Sequence, residues 1–210
     1  MGRVASAETA PPKASGASLV LASGSPRRRW ILAEMGVEFR IVPPGVEELE
    51  ESAGMALSHI PLENAARKAR AVAETAENEL VLGADTVVAI DGELLGKPRD
   101  MEEAVEMLSR LSGRRHEVIT GVHLVRLADK LETAFAEVSV VEFKRFDRRF
   151  AAEYAARVNA LDKAGAYAVQ DGGDEIVERV EGSIFNVMGL PAERLAETLE
   201  AIRLSSRDMG

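Results

Sequence analysis

The sequence predicts an α/β protein built on a mixed sheet, and three observations carry that expectation. Apolar runs of strand length alternate along the chain with segments whose apolar residues recur at helical spacing. Gly, Pro, Asn and Asp punctuate the joins between them, as turns require. Asp91-Gly92, set between two apolar runs, is a strong hairpin signal, so antiparallel pairing sits inside the alternating pattern. That hairpin argues against a purely parallel sheet and against a strictly alternating β/α barrel.

Each element has its own reason. Ser18 to Ala22 is a short apolar run ending in small residues, read as a buried strand. Ser25 and Pro26 read as N-cap and first helical position, because proline needs no donor there and presets φ. The helix they open carries Ile31, Leu32 and Met35 on one face and stops at Gly36. Val37, Phe39 and Ile41 alternate with Glu38 and Arg40, the period of a half-buried strand. Leu62 to Ala76 is helical in composition and spacing, and Leu80 to Ile90 reads as a strand returning through the hairpin to Leu94 and Leu95. Asp100 caps a further helix, with Glu102 and Glu103 in its first turn and an end near Ser112-Gly113. Val118 to Val125 and Thr133 to Phe143 read as strands joined around Asp129-Lys130. Asp147 to Asn159 reads as helix, Ala166 to Gln170 as strand, and Asp171-Gly172-Gly173 as turn. Ile176 to Val180 is a further strand candidate, followed by the turn Glu181-Gly182-Ser183. Pro191 opens a last helix with Leu195, Leu199 and Ile202 on one side.

Residues 18–204 therefore form the expected folded domain. Residues 1–17, rich in Ala, Pro, Ser and Gly and lacking the apolar core of a secretory signal, read as a disordered lead-in. Residues 205–210 read as a frayed tail. A chain of 210 residues, 46% hydrophobic, can bury an ordinary core as one domain or as two lobes around a cleft. No apolar run approaches the roughly 20 residues that span a bilayer. A formal charge of −9 repels polyanions, which disfavours nucleic acid as a partner, and no membrane partner is expected either. A small phosphorylated ligand stays open wherever basic residues gather locally. Cysteine is absent, which excludes disulfides and Cys-ligated zinc and fits a reducing cytoplasm.

Four constellations carry chemistry. Leu21-Ala22-Ser23-Gly24-Ser25-Pro26-Arg27-Arg28 runs a strand into a small-residue turn and then into a capped helix start. Free backbone N–H groups and the positive dipole end make such a start an anion site, and two guanidinium forks add matched donors. It is not a Walker loop, and a solvated basic turn is equally compatible with the residues. Gly83-Ala84-Asp85-Thr86-Val87-Val88 places a carboxylate in an apolar strand, costly unless paired, hydrogen-bonded or bound to a metal. Gly96-Lys97-Pro98 holds a lysine between turn residues, where it can meet a phosphate or simply solvent. Asp162-Lys163-Ala164-Gly165-Ala166-Tyr167-Ala168-Val169-Gln170 ends in an amide able to donate and accept, as base recognition needs, although a backbone contact would satisfy it as well. Glu47, Glu48 and Lys68 read by default as solvated charges, and His116 and His123 fit no metal-site spacing.

Order is more informative than any single motif. LASGSPRR, GVEE, the helix with Lys68, GADTVV, GKPRD, SGRRHEVITGV, DKAGAYAVQ and EGSIFNVMGLP resemble the motifs of the Maf family of nucleoside triphosphate pyrophosphatases, in the family's order, over roughly residues 19–200. The resemblance implies an inosine-triphosphatase-like fold, with an elongated mixed sheet, flanking helices and two lobes around a central cleft, usually as a homodimer. It implies a catalytic Asp85, acting on the attacking water. It also implies that Glu48 and Asp85 hold a divalent cation, Mg²⁺ or Mn²⁺, and that Ser23, Arg28, Lys68 and Lys97 line the triphosphate site. Arg27, Thr86 and Gln170 match the positions that separate branches, and they resemble the branch acting on dTTP and UTP. The acidic Asp171-Gly172-Gly173-Asp174 after Gln170 and the Ser183-Ile184-Phe185 segment depart from the usual pattern. Other readings open at this point are a purine or modified nucleotide such as 7-methyl-GTP as substrate, and a nucleotide-sensing regulator of cell division.

Overall fold

The computed structural model describes residues 10–13, 18–49 and 56–208. Strands β1 (Ser18–Ala22), β2 (Glu38–Ile41), β3 (Val81–Ile90), β4 (Glu93–Leu95), β5 (Arg115–Arg126), β6 (Leu131–Phe143) and β7 (Val177–Glu181) form one mixed sheet. Its order is β2-β1-β3-β5-β6-β7, with β4 also on β3. β1 runs parallel to β2 and β3, and every other pair is antiparallel. Helices α1 (Pro26–Glu34), α2 (His59–Ala73), α3 (Met101–Leu111), α4 (Arg148–Arg157), α5 (Gly173–Ile176), α6 (Ile184–Met188) and α7 (Ala192–Asp208) flank it. No helix among the described residues is long and apolar enough to cross a membrane.

One edge of β3 decides where a ligand can enter. β5 covers the other edge continuously from Val81 to Ala89. On the open side β1 pairs only with Val81 to Gly83, and β4 only with Val88 to Ile90. Ala84 to Val87 are left between them without a strand partner. β1 leaves the sheet there to feed α1, and β4 leaves it to feed the Gly96-Lys97 turn. Two large apolar clusters lie to either side of this gap. One joins β1, α1 and α7 around Leu21, Ile31, Leu82 and Leu195, and the other joins α3 and α4 around Leu108, Val88, Phe143 and Tyr154.

Helix α2 packs on the face of the sheet away from those clusters, and two glycines let it come very close. A Cβ at Gly83 would lie 2.1 Å from the Ala65 carbonyl oxygen and 2.8 Å from the Ala69 amide nitrogen. A Cβ at Gly121, directly across the ladder from Asp85, would lie 2.3 Å from the Pro61 carbonyl. The backbone of α2 therefore rests on the backbones of β3 and β5, with no side chain between.

The local signals in the sequence act as expected. The Ser25, Asp100 and Asp147 side chains accept from the Arg28, Glu103 and Phe150 amides and so start α1, α3 and α4. Asp91 and Gly92, with φ of 56° and 79°, make the tight β3–β4 turn.

Other expectations need correction. Ala166 to Gln170 is not a strand. Two 3-10 turns, Ala160–Asp162 and Ala164–Ala166, precede it, and Gly165 and Ala166 take φ of 66° and 65°, which breaks an extended path. Gly165 is pressed against Val88 and donates to the Gly96 carbonyl, while the Tyr154 hydroxyl donates to the carbonyls of Ala168 and Asp171. β2 lies at the sheet margin, so the expected burial alternation holds through half-buried Phe39 and fails at Ile41, which is 40% exposed. α2 begins at His59, because Pro61 is tolerated in a first turn. α6 follows the Gly182 turn, with the Ser183 side chain as its cap, and α7 runs on through Asp208. Of the N-terminal lead-in, residues 1–9 and 14–17 lie outside the described residues. Within 10–13, Pro11 is buried and the Lys13 ammonium donates to the Glu34 carbonyl at the end of α1.

Candidate active site

The gap in the β3 edge opens into a cleft of about 1300 Å³. Asp85 and Thr86 are neighbours in a strand and so point to opposite faces. Each anchors a separate polar group.

On the α2 face, Asp85 is 7% exposed. The Lys68 ammonium donates to Asp85 Oδ1 at 2.7 Å and lies 2.6 Å from Glu48 Oε1, so one buried cation joins two carboxylates. Asn64, one turn before Lys68, donates to Asp85 Oδ2 at 3.1 Å. It also exchanges hydrogen bonds with the backbone of Leu49, accepting at 2.7 Å and donating at 3.0 Å. Asn64 thus ties the Glu48 loop to β3. Burial pushes the Glu48 carboxyl up, but its hydrogen bond to Lys68 and the charges of Lys68, Lys97 and Arg28 outweigh that, leaving it below its ordinary value. Lys97 stands further out, half-exposed, with Nζ 4.0 Å from Glu48 Oε2.

On the other face, Arg28 is buried and its fork is largely committed inside the protein. Nε donates to the Gly189 carbonyl at 2.9 Å, one terminal nitrogen to Ser23 Oγ at 3.1 Å, and the other to Thr86 Oγ1 at 3.1 Å. Burial lowers its pKa, and the Asp85 charge opposes that. A guanidinium stays charged at any working pH, and two of its five N–H groups are left for a ligand. Thr86 Oγ1 also lies 2.9 Å from Thr120 Oγ1, whose hydroxyl reaches the Asn186 carbonyl at 3.2 Å. Asn186 Nδ2 donates to Val118 O and Ser139 Oγ, each at 3.0 Å. The Thr86 hydroxyl is therefore engaged in a buried relay running from the cleft to α6.

Of the residues singled out in the sequence, the fold brings Asp85, Lys68 and Glu48 into one contact group and Ser23, Arg28 and Thr86 into another. Lys97, Arg27 and Gln170 line the same cleft, and Arg27 and Gln170 have no side-chain partner among the described residues. His116 and His123 are core residues, paired with the Tyr167 hydroxyl and with Glu132 at 2.9 Å each. Asn64 was missed. The signal for it was a polar side chain four residues before Lys68, on the face shared with Ala65 and Ala69. The Gly189 carbonyl and Asn186 carry no residue-type signal of their own.

Oxygen-rich, cation-lined and opening on a broken sheet edge, the cleft belongs to the class of α/β proteins that handle phosphate-bearing ligands. Comparison with known proteins narrows the class. A family model described as Maf-like protein matches residues 18–202, and the chain belongs to the Maf family. It is 38% identical over 181 residues to the dTTP/UTP pyrophosphatase of Dictyoglomus turgidum, covering 86% of this chain and 94% of that one. It is 41% identical over 189 residues to the dTTP/UTP pyrophosphatase of Ruminiclostridium cellulolyticum, at 88% and 96% coverage. It is 44% identical over 191 residues to that of Alkalilimnicola ehrlichii, at 89% and 93% coverage. The Staphylococcus aureus Ham1 structure resembles 60% of the chain at 17% identity, with 71% of that structure covered and a TM-score of 0.42.

Proposed function

We propose that this protein hydrolyses dTTP and UTP to the nucleoside monophosphate and pyrophosphate. Asp85 acts on water at the α-phosphorus. The observation that carries the reading is the contact group of buried Asp85 and Lys68 with Glu48, at the one stretch of β3 that its neighbours among the described residues leave open. The names of the relatives quoted above point to the same reaction.

Each side chain has a task that follows from its surroundings. Lys68 and Asn64 hold Asp85 by both oxygens, which fixes its orientation at the wall of the cleft. Asp85 accepts the water proton as the water oxygen bonds to the α-phosphorus. The α–β bridging bond breaks, and its electron pair leaves with pyrophosphate. Lys97 and the two uncommitted N–H groups of Arg28 oppose the charge that grows on that leaving group, so the help is electrostatic and strongest at the transition state. The α1 N-terminus adds backbone donors beside Ser23.

Asp85 and Glu48 fit a hard divalent cation, Mg²⁺ or Mn²⁺. Both offer carboxylate oxygens to one shared positive charge, now the Lys68 ammonium, and such ions are often held by one or two carboxylates plus substrate phosphates. When bound, the ion supplies Lewis-acid polarisation of phosphoryl oxygens. Gln170 and Arg27 read the base, and a homodimer acting on free nucleotides in the cytoplasm completes the proposal.

The test is product analysis on a panel of dTTP, UTP, CTP, ATP, GTP and 7-methyl-GTP with Mg²⁺ or Mn²⁺. Monophosphate with pyrophosphate, fastest for dTTP and UTP, is expected. Release of inorganic phosphate with a diphosphate product overturns the reaction, and a purine preference overturns the substrate. Light scattering on the purified protein decides the dimer.

A further inference from the structure

Lys163 is a buried cation for which the reaction above has no use. It lines the cleft and is 6% exposed. Its ammonium carries three N–H groups. One goes to the Asn159 carbonyl at 3.1 Å, where the chain turns out of α4. Asp171 Oδ2 forms a loose ion pair with it at 3.8 Å, longer than an ordinary hydrogen bond, from a half-exposed side chain. Two donors of a buried ammonium are thus without a close acceptor among the described residues. Capping one carbonyl at a helix end does not explain such burial, since a lysine with only that task does it from solvent. Unspent buried donors are costly unless a ligand takes them up.

Its place in the cleft indicates which part of the nucleotide that is. Burial lowers the Lys163 pKa, and the charges acting on it most are Arg27, Asp171 and Asp162. Lys68 and Glu48 meet instead at Asp85, with Lys97 beyond Glu48. Lys163 therefore belongs to the end of the cleft holding Arg27 and the Gln170–Asp171 turn, away from the carboxylates that serve the phosphates. Tyr154 fixes that turn through the Ala168 and Asp171 carbonyls, and Gly165 ties the Lys163 segment to Gly96, so both sides of this end are held.

We propose that Lys163 is a specificity-determining residue that donates to the 4-carbonyl of uracil or thymine, selecting these bases against cytosine. The chemistry is complementary. The pairing edge of uracil and thymine presents carbonyl, N–H, carbonyl. Gln170 can accept from the N–H and donate to one carbonyl, and Lys163 donates to the other. Cytosine replaces the 4-carbonyl by an amino group, a donor facing a donor-rich wall. A site built to hydrogen-bond one edge rejects a mismatched one through the polar groups it leaves unpaired. The proposal rests on the dTTP/UTP reading above and goes beyond it in excluding CTP.

The test compares kcat/KM for UTP and CTP in the wild-type enzyme and in Lys163→Met, which keeps the length of the chain and removes its donors. A hydrogen bond to a charged group is worth roughly 10- to 100-fold. UTP hydrolysis is expected to fall by about that factor while CTP changes far less, so the UTP:CTP ratio collapses, and Lys163→Arg is expected to restore part of it. 4-thio-UTP, with a poor acceptor in place of the 4-carbonyl, is expected to be a weaker substrate than UTP for the wild type and an equal one for Lys163→Met, whereas any response to 2-thio-UTP is expected to be the same in both enzymes. An equal loss on UTP and CTP, or no loss on either, overturns the proposal. If Lys163→Met does not fold, the wild type decides, since full activity on 4-thio-UTP overturns it. Failure of the wild type to use UTP at all refutes the substrate reading itself and is seen before any variant is made.

Discussion

Gly83→Ala tests how the fold aligns the site, because it adds one methyl group far from any substrate atom. The new Cβ would stand 2.1 Å from the Ala65 carbonyl oxygen and 2.8 Å from the Ala69 amide nitrogen, both of them backbone atoms that cannot rotate away. To restore ordinary contact, α2 must retreat from β3 by roughly 1 Å. Lys68 and Asn64 ride on that helix, and their contacts to Asp85 are 2.7 and 3.1 Å, so a shift of this size breaks both. A misplacement of roughly 1 Å costs on the order of 100-fold in rate. Overpacking costs about 1–3 kcal/mol, which for a chain this size lowers Tm by roughly 2–4 °C per kcal/mol. The assay is kcat for UTP beside a thermal melt. A cooperative melt with kcat reduced about 100-fold is expected. Gly121→Ala, which presses on Pro61 in the first turn of α2, is expected to act in the same direction. A folded Gly83→Ala enzyme with wild-type kcat refutes the idea that the glycine contact sets the position of Lys68.

Three other outcomes follow from the same geometry. Asp85→Asn keeps the shape of the side chain and removes the base, so turnover is expected to fall on the order of 100-fold or more with the melt retained, and near-normal turnover removes Asp85 from the mechanism. Lys97→Ala, at a half-exposed position, is expected to leave Tm unchanged while lowering kcat and kcat/KM for UTP, whereas a change in Tm alone makes Lys97 a turn residue. His116 is held neutral by burial, which lowers its pKa from 6.5 to about 4. The unfolded chain then binds a proton that the native state does not between those values, so stability falls as pH drops from about 6.5 to 4, by on the order of 3 kcal/mol. In His116→Phe this limb of the pH–stability curve is expected to flatten, and an unchanged slope in urea titrations contradicts it.

Much of the framework was legible because it rests on local chemistry. The Ser25, Asp100 and Asp147 caps and the Asp91-Gly92 turn each act within four residues of themselves, so the sequence displays them directly. The Ala166 to Gln170 segment misled because its apolar residues suit a strand as well as a turn packed under Tyr154. What excludes the strand is Gly165 meeting Val88, a contact between residues far apart in the chain. The opposite facing of Asp85 and Thr86 could have been read from strand alternation. Their separate partners could not, since Gly189 and Lys68 reach them only through the tertiary fold. Asn64 had only a weak signal for a similar reason: an asparagine in a helix looks like a solvated one until the Glu48 loop is seen to hang from it.

The interrupted edge of β3 has a mechanical consequence. A beam notched from one side keeps its stiffness on the uncut side, and here that side is the β5–β6 ladder, paired without a break from Arg115–Glu142 to Arg126–Leu131. Any opening or narrowing of the notch that strains the sheet must bend this ladder, which resists as an elastic strip does. Compliance of the cleft is then set by residues that never approach a nucleotide. Softening the ladder at its middle, near Thr120 and Glu137, widens the range of openings sampled, while stiffening it fixes one width and one size of guest.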